Sequence, residues 1–257
     1  MNRRDVADLA GCTGLGALTA FGVLLMVVVG GDGAVQFGDE DFHSWPLAHR
    51  PAVAVALAQG VTATGTGVVP YVLAALAGLV AARTLRGRLV TVALCAACLG
   101  AGQAVRYGVM ELTARSRPPR VDWVTHASGW SFPSGYATTA TLTAGPLVIA
   151  VLVRGPRGRT PLALAACCWG ALVGLTRVYL GVHWFTDVLG GWLFGLGWLG
   201  LCLAATARWL PEQVLADTGQ PAAEDAAAAG PPQEQPREQV KHHAPQDPGR
   251  RGRSRPA

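Results

Sequence analysis

Residues 176–187 read TRVYLGVHWFTD and connect two long apolar runs. They contain Arg177, His183 and Asp187, and ionisable residues beside membrane-spanning segments mark functional sites by default. If a helix begins near His183, the i,i+4 spacing places His183 and Asp187 on one face. The carboxylate can then fix the imidazole tautomer and leave the other nitrogen free to attack, while the Arg177 guanidinium suits a phosphate. The alternative is an Arg–Asp pair and an interfacial His that only anchor a helix end.

The composition predicts an all-α, polytopic membrane protein. The chain of 257 residues is 51% hydrophobic and only 14% charged, whereas globular proteins average about 25% charged residues. The net charge of +5 does not indicate nucleic-acid binding, because most arginines lie in short clusters between apolar runs, where they act as topology signals. We expect membrane lipids, and no nucleic acid, as partners.

The apolar runs predict six membrane spans. They cover residues 10–30, 65–83, 88–111, 134–153, 160–179 and 184–207. Residues 51–62 are too short to cross and are predicted to form an interfacial or re-entrant helix. The membrane domain is thus expected over residues 10–207, after a cytoplasmic N-terminus at 1–9. Residues 208–257 are predicted to form a disordered cytoplasmic tail, because they have almost no aliphatic bulk from residue 211 onward.

The arginines predict the orientation of these spans. In a six-span arrangement one side carries Arg3, Arg4, Arg83, Arg86, Arg88, Arg154, Arg157, Arg159 and Arg208. By the positive-inside rule this side faces the cytoplasm, and the protein lies in the plasma membrane with both termini inside. The outward loop 113–133 breaks the pattern with Arg115, Arg117 and Arg120. Arginines on the outer side indicate a role other than topology, and anion binding is the natural one.

A second outward stretch, FPSGY at residues 132–136, precedes the fourth predicted span. Proline at a first helical turn is pre-organised for the helix. The Ser134 hydroxyl and the backbone N–H groups at Gly135 then lie at the positive end of a helix, which is a ready anion site. This stretch, the Arg117 loop and residues 176–187 all lie on the same predicted membrane face.

Together the three stretches resemble the type 2 phosphatidic acid phosphatase (PAP2) superfamily, which also contains the vanadium haloperoxidases. The signature of that superfamily is K-x6-R-P, then P-S-G-H, then S-R-x5-H-x3-D. The matching positions here are Met110 with Arg117-Pro118, then Pro133-Ser134-Gly135-Tyr136, then Thr176-Arg177 with His183 and Asp187. Order, spacing and membrane context agree over residues 65–207. The resemblance implies a PAP2-like helical bundle of the membrane lipid phosphatase branch.

The resemblance also implies a role for each site residue. His183 is the nucleophile that forms a phosphohistidine, and Asp187 orients it. Arg117 and Arg177, with the segment Ser134–Gly135, bind the phosphoryl oxygens. The substrate is then a lipid phosphate or a polyprenyl diphosphate at the extracytoplasmic face. Neither a metal nor another cofactor is implied, because the pocket consists of cations and one orienting carboxylate.

Two positions depart from the signature. Met110 replaces the lysine that adds a positive charge to the pocket, and we expect Arg106, one turn earlier, to point from too deep in the span to take its place. Tyr136 replaces the histidine that protonates the leaving oxygen. Tyrosine has a reference pKa of ~10 and is a poorer acid near neutral pH, and losing general acid catalysis costs ~10²–10⁴ in rate. His126, in the same loop, can lend a proton or can simply be solvated.

The leaving group determines how much these departures matter. A lipid alkoxide needs a proton to leave, whereas the phosphate released from a diphosphate has a pKa near ~6 and leaves with little help. The sequence therefore favours a lipid diphosphate over a lipid monophosphate such as phosphatidic acid.

Two other functions remain open. A catalytically impaired relative can bind lipid phosphates through the same arginines. A transporter or scramblase needs charges along a path across the membrane, and the predicted spans hold few beyond Arg106 and Glu111 near one end. The sequence leaves the identity of the lipid and the oligomeric state open.

Overall fold

The computed structural model describes residues 3–36, 38–154 and 158–210, and every regular element in these ranges is helical. The elements are α1 (Arg3–Gly30), α2 (Asp39–Ala48), α3 (Ala52–Ala63), α4 (Val68–Ala81), α5 (Leu85–Thr113), a 3-10 turn (Arg120–Asp122), α6 (Gly135–Arg154), α7 (Arg159–Tyr179) and α8 (Phe185–Trp209). The predicted all-α fold is confirmed. Arg157 and the predicted tail beyond residue 210 lie outside the described residues.

Five helices are long and apolar enough to cross a membrane: α1, α5, α6, α7 and α8. A sixth span exists only if α3 and α4 count together, and these two are bent by 55° at their junction. The number of spans equals the predicted six if this bent pair counts as one, but the helix at residues 65–83 is too short to be a span without α3. This helix, α4, has 14 residues, or ~21 Å at the usual rise, which is shorter than the ~30 Å hydrocarbon core. The break lies between Ala63 and Val68 and contains Gly65 and Gly67, where backbone freedom is greatest.

Helix α8 lies against both α1 and α6, and glycines allow these close approaches. A Cβ added at Gly191 would lie 2.7 Å from the Ser134 carbonyl oxygen and 2.8 Å from the Ala137 Cβ. A Cβ at Gly14 would lie 3.0 Å from the Gly200 backbone. Small residues drive helix association in lipid, where burial from water contributes little. The start of α8 is thus held directly beside the start of α6.

One end of the bundle carries the arginine clusters. Arg3 donates hydrogen bonds to the carbonyl oxygens of Ala207 and Leu210, so α1 and α8 meet there. Arg154, at the end of α6, donates to the Ala81 carbonyl at 3.2 Å. The opposite end holds α2 and the loops 114–134 and 180–184. These are the segments that the sequence singled out for chemistry.

The two loops at this end are joined to each other. The Val124 N–H donates to the Leu180 carbonyl at 3.2 Å. Gly181 has a φ of +78°, and a Cβ there would lie 2.4 Å from the Asp122 carbonyl oxygen, so the contact requires glycine. The loop before α8 therefore lies directly against the α5–α6 loop.

Candidate active site

His183 and Asp187 lie together at the start of α8. His183 precedes the helix, and Asp187 lies in its first turn, where a carboxylate is favoured by the helix dipole. The His183 Nδ1 is 3.3 Å from Asp187 Oδ2. The same oxygen accepts a 2.9 Å hydrogen bond from the Trp184 N–H, which fixes the carboxylate. This arrangement leaves the Nε2 of His183 directed away from Asp187.

Arg117 contacts the other ring nitrogen of His183. Its Nη1 is 2.9 Å from His183 Nε2. Four backbone carbonyls also accept from this guanidinium, at 2.8 to 3.0 Å: those of Ser128, Gly129, Trp130 and Val182. Burial, together with the charges of Arg177 and Arg106, lowers the pKa of Arg117 to about 10, so it remains charged at neutral pH. Since Arg117 can only donate, Nε2 carries the lone pair and Nδ1 the proton.

The environment keeps His183 neutral. His183 is only 2% exposed, and burial lowers its pKa from 6.5 to about 4. The hydrogen bond with Asp187 opposes this change, whereas the charge of Arg117 adds to it. A neutral imidazole with the lone pair on Nε2 is the protonation state that a nucleophile needs.

Arg177 lies at the end of α7, stacked on Tyr136. Its guanidinium carbon is 3.9 Å from the centroid of the Tyr136 ring, a cation–π contact. Nη1 donates to Thr62 Oγ1 at 3.3 Å, and Nη2 to the His126 carbonyl at 3.4 Å. Its Nε is buried and has no hydrogen-bond partner among the described residues. An oxyanion in the neighbouring cavity is the kind of group that satisfies such a donor.

These side chains line one cavity of about 320 Å³. Its walls include most of the predicted site residues, namely Arg117, Gly135, Tyr136, Arg177 and His183, together with Met110 and His126. The expectation for Arg106 was wrong, because this side chain also lines the cavity. Arg106 Nη1 lies 3.3 Å from the sulfur of Met110, four residues toward the C-terminal end of α5, so the side chain extends toward the cavity end of the bundle.

Ser134 lies outside the cavity wall. It is fully buried. Its N–H donates to the Asp187 carbonyl at 2.9 Å, and its hydroxyl lies 3.5 Å from the Ala137 N–H in the first turn of α6. In this conformation Ser134 joins α6 to α8, and phosphate binding by its hydroxyl stays a prediction. The first turn of α6 reaches the cavity at Gly135 and Tyr136 instead.

Sequence reasoning missed the residues that hold Asp187. Arg115 Nη1 donates to Asp187 Oδ1 at 2.6 Å, and its Nη2 donates to Asp39 Oδ2 at 2.7 Å. All three side chains are fully buried. Asp39 also accepts from the N–H and hydroxyl of Thr186. The anions that Arg115 binds are therefore carboxylates of its own chain. Its outward position was a usable signal, whereas nothing in the sequence connects Asp39 with Asp187.

No metal site accompanies this geometry in the part of the chain that the structure describes. There, no three His, Cys, Asp or Glu side chains come close enough together to hold a metal ion. The Asp187 carboxylate is already occupied by Arg115, Trp184 and His183. The arginines that line the cavity are Arg106, Arg117 and Arg177.

Comparison with known proteins supports the family resemblance. Residues 111–211 match the family model of the PAP2 superfamily. The resemblance that rested on the three motifs is thereby confirmed, and the PAP2 region contains all of the predicted site residues. Met110 and Arg106 lie just before its first residue.

Three curated relatives match parts of the chain. Phosphatidylglycerophosphatase B of Bacillus subtilis (strain 168) is 39% identical over 90 residues, which are 34% of this chain and 43% of that protein. Lipid A 1-phosphatase of Rhizobium etli is 41% identical over 80 residues, 31% of this chain and 30% of that protein. Undecaprenyl-diphosphatase of Sulfolobus acidocaldarius is 36% identical over 66 residues, 26% of this chain and 29% of that protein. The chain thus spans less than half the length of each.

A solved structure shares the fold. The crystal structure of a transmembrane PAP2 type phosphatidylglycerolphosphate phosphatase from Bacillus subtilis matches with a TM-score of 0.59 at 24% identity. The match covers 78% of this chain and 96% of that one. Together with the apolar helices, it shows that the protein is a multi-pass membrane protein with a PAP2 fold.

Proposed function

We propose that the protein is an integral membrane phosphatase that hydrolyses a lipid phosphate or a polyprenyl diphosphate through a phosphohistidine. The observation that carries this proposal is the line Arg117–His183–Asp187 in a cavity that Arg177 also lines. Phosphoryl transfer needs positioning and charge stabilisation more than covalent help from the protein. All three curated relatives have phosphatase names, which supports the reaction class.

The geometry supports a two-step reaction. Phosphoryl oxygens bind Arg117 and Arg177, and the His183 Nε2 attacks phosphorus in line with the leaving oxygen. Asp187 stabilises the positive charge that develops on the ring, and Arg115 keeps that carboxylate in place. Water then attacks the phosphohistidine, which releases inorganic phosphate and regenerates the imidazole.

The leaving-group side of the site favours a diphosphate. Tyr136 lies against Arg177 where the superfamily signature has a histidine. A lipid monophosphate leaves a diphosphate more easily than a lipid alkoxide leaves a monophosphate, because its oxygen is far less basic. We therefore infer that a polyprenyl diphosphate is hydrolysed faster than phosphatidic acid.

We further propose that the cavity faces the extracytoplasmic side of the plasma membrane. The supporting observation is that the arginine clusters lie at the opposite end of the bundle, where Arg3 and Arg154 contact neighbouring helix ends. Under the positive-inside rule that end is cytoplasmic.

The alternative is an impaired relative that binds lipid phosphates without hydrolysing them. The methionine at 110 and the tyrosine at 136 favour this alternative, whereas the buried, neutral His183 favours catalysis. The two functions predict different behaviour of the same variants.

A phosphate-release panel across lipid monophosphates and diphosphates tests the proposal. Purified wild type should release phosphate, fastest from polyprenyl diphosphate, and His183→Ala should not. Equal phosphate release by wild type and His183→Ala would contradict the proposed phosphatase activity. If only the double change Met110→Lys with Tyr136→His gains activity, the binding protein is the correct description. Equal or faster release from phosphatidic acid refutes the preference for diphosphates.

A further inference from the structure

Arg106 is a charged residue in the apolar helix α5, and its guanidinium lies in the phosphate cavity. A Cβ added at Gly135 would be 3.2 Å from Arg106 Nη1, so the guanidinium lies against the first turn of α6. The N–H groups of a first helical turn have no partner within their own helix. Two positive features, a guanidinium and a helix N-terminus, therefore meet at this point of the wall.

The Arg106 side chain is held in this position by neutral groups. Its Nε donates to Gln103 Oε1 at 3.0 Å, and Gln103 Nε2 in turn donates to Thr139 Oγ1 at 2.6 Å. Among the described residues no carboxylate forms an ion pair with it, and Glu111, five positions further along α5, is exposed. An arginine in a membrane span is costly unless it has a partner or a function. Its fixed position without a carboxylate indicates an anionic ligand.

A series of contacts leads along the cavity wall from the nucleophile to Arg106. Arg117 Nη1 lies 2.9 Å from His183 Nε2, and Arg117 Nε donates to the Gly129 carbonyl at 3.0 Å. A Cβ added at Gly129 would lie 3.3 Å from Met110 Cε, and the Met110 sulfur lies 3.3 Å from Arg106 Nη1. Arg117 and Met110 thus connect His183 to Arg106 along this wall. A phosphoryl group that contacts His183 leaves Arg106 available for the next group of the substrate.

We propose that Arg106, positioned by Gln103 and lying against Gly135, binds the second phosphoryl group of a lipid diphosphate. The proposal rests on the phosphatase function above and assigns its substrate class. When the His183 Nε2 bonds to the terminal phosphorus, the bond from that phosphorus to the bridging oxygen breaks. Its electron pair remains on the departing lipid monophosphate, which gains negative charge, and Arg106 stabilises that charge. A fixed cation thereby supplies positive charge that Met110 cannot supply, and it reduces the need for the proton that Tyr136 is poorly suited to donate.

The experiment compares the binding of two soluble probes, pyrophosphate and inorganic phosphate, to purified full-length variants. Affinity is read from ligand-dependent shifts of the unfolding temperature. Arg106→Gln should weaken pyrophosphate binding about tenfold to a hundredfold, the range for losing a hydrogen bond to a charged group, and leave phosphate binding little changed. Arg117→Gln should weaken both probes. Arg120→Gln, a change at an exposed arginine of the same outer loop system that does not line the cavity, should alter neither.

The proposal is overturned if Arg106→Gln leaves the pyrophosphate affinity unchanged. It is also overturned if Arg106→Gln lowers the affinities for pyrophosphate and inorganic phosphate equally. Arg106→Lys removes the guanidinium but keeps the positive charge. It should therefore retain more pyrophosphate affinity than Arg106→Gln. Equal affinity in the two variants also overturns the proposal. Because pyrophosphate binding does not require hydrolysis, an Arg106-dependent preference for pyrophosphate in a protein that releases no phosphate supports the subsite and contradicts the proposed phosphatase activity.

Discussion

At the scale of single residues, the account depends on the protonation state of His183. The imidazole is buried between a guanidinium and a carboxylate, with one ring nitrogen toward each. Arginine can only donate, so the tautomer follows from the contacts. The chemistry then requires Arg117 to release Nε2 to a phosphoryl group while its carbonyl partners keep the guanidinium in place.

We predict that His183 titrates near pH 4 in the folded protein, because burial and the charge of Arg117 lower its pKa. Arg117→Gln removes that charge and should raise the value. NMR of the labelled imidazole measures both, with His183→Asn identifying the signal. A titration near the ordinary value of 6.5 in the wild type would contradict the buried geometry.

The same lowered pKa affects stability. The unfolded chain takes up the proton at higher pH than the folded protein does, so folding free energy is lost as the pH falls from about 6.5 toward 4. Above that window the contribution is fully present. The acid limb of kcat/KM that belongs to His183 should lie in the same low range, because protonation removes the nucleophilic lone pair.

The three motifs, together with the family that they resemble, predicted most of the site residues that line the cavity. His183 and Asp187 are four positions apart, and the turn before α8 brings them together as expected. Arg106 was expected to lie too deep because helical side chains usually point toward the N-terminus of their helix, which for α5 is the arginine-rich end. Its long side chain instead extends toward Met110 at the outer end. Sequence spacing does not determine the rotamer of a long side chain.

At the scale of elements, a buried charge network joins α2 to the active-site loop. Asp39, in the first turn of α2, and Asp187, in the first turn of α8, share the guanidinium of Arg115. Removing one member leaves the remaining charges buried without full compensation, which is strongly destabilising. The short helix α2 therefore fixes the orientation of the Asp187 carboxylate, which lies 3.3 Å from His183 Nδ1.

We predict that Asp39→Asn lowers the free energy of unfolding by about 3–5 kcal/mol, the usual effect of breaking a buried pair, and also reduces phosphate release. Asp41→Asn is the matched control, because Asp41 lies in the same helical turn and is exposed. Unfolding in detergent and phosphate release are measured for both variants. Similar stability of the two variants would show that the Asp39–Arg115 contact does not hold the loop.

Helix positions could largely be predicted, but helix breaks could not. The apolar runs predicted spans at 134–153, 160–179 and 184–207, close to α6, α7 and α8. The run at 65–83 looked the same, yet its helix is only α4 and is bent relative to α3. Hydropathy reports the solvent around a segment, and it does not report where glycines allow the backbone to turn.

At the scale of the whole molecule, charge is distributed unequally between the two ends of the bundle. Arginine clusters occupy one end, and the cavity that His183 and Arg117 line lies at the other. The sequence predicted this asymmetry because loop arginines can be counted without a structure. The pairing of Asp39 with Arg115 could not be predicted, because the two residues are far apart in the chain and meet only in the folded bundle.

We predict that the cavity end is extracytoplasmic. Single cysteines are introduced at Glu40 and Arg86, exposed positions at opposite ends, after replacement of the six native cysteines. A membrane-impermeant thiol reagent should label Glu40→Cys in intact cells and Arg86→Cys only after permeabilisation, because the arginine-rich end stays inside. The reverse labelling pattern would place the cavity in the cytoplasm.

The most direct test of the central claim is rapid-quench trapping of the phosphoenzyme. Wild type is mixed with polyprenyl diphosphate labelled in its terminal phosphate, quenched in alkali and digested. The account predicts acid-labile, alkali-stable label on the peptide that contains His183, and neither label nor phosphate release in His183→Asn. Phosphate release by His183→Asn at the wild-type rate, or label on a different residue, would contradict it.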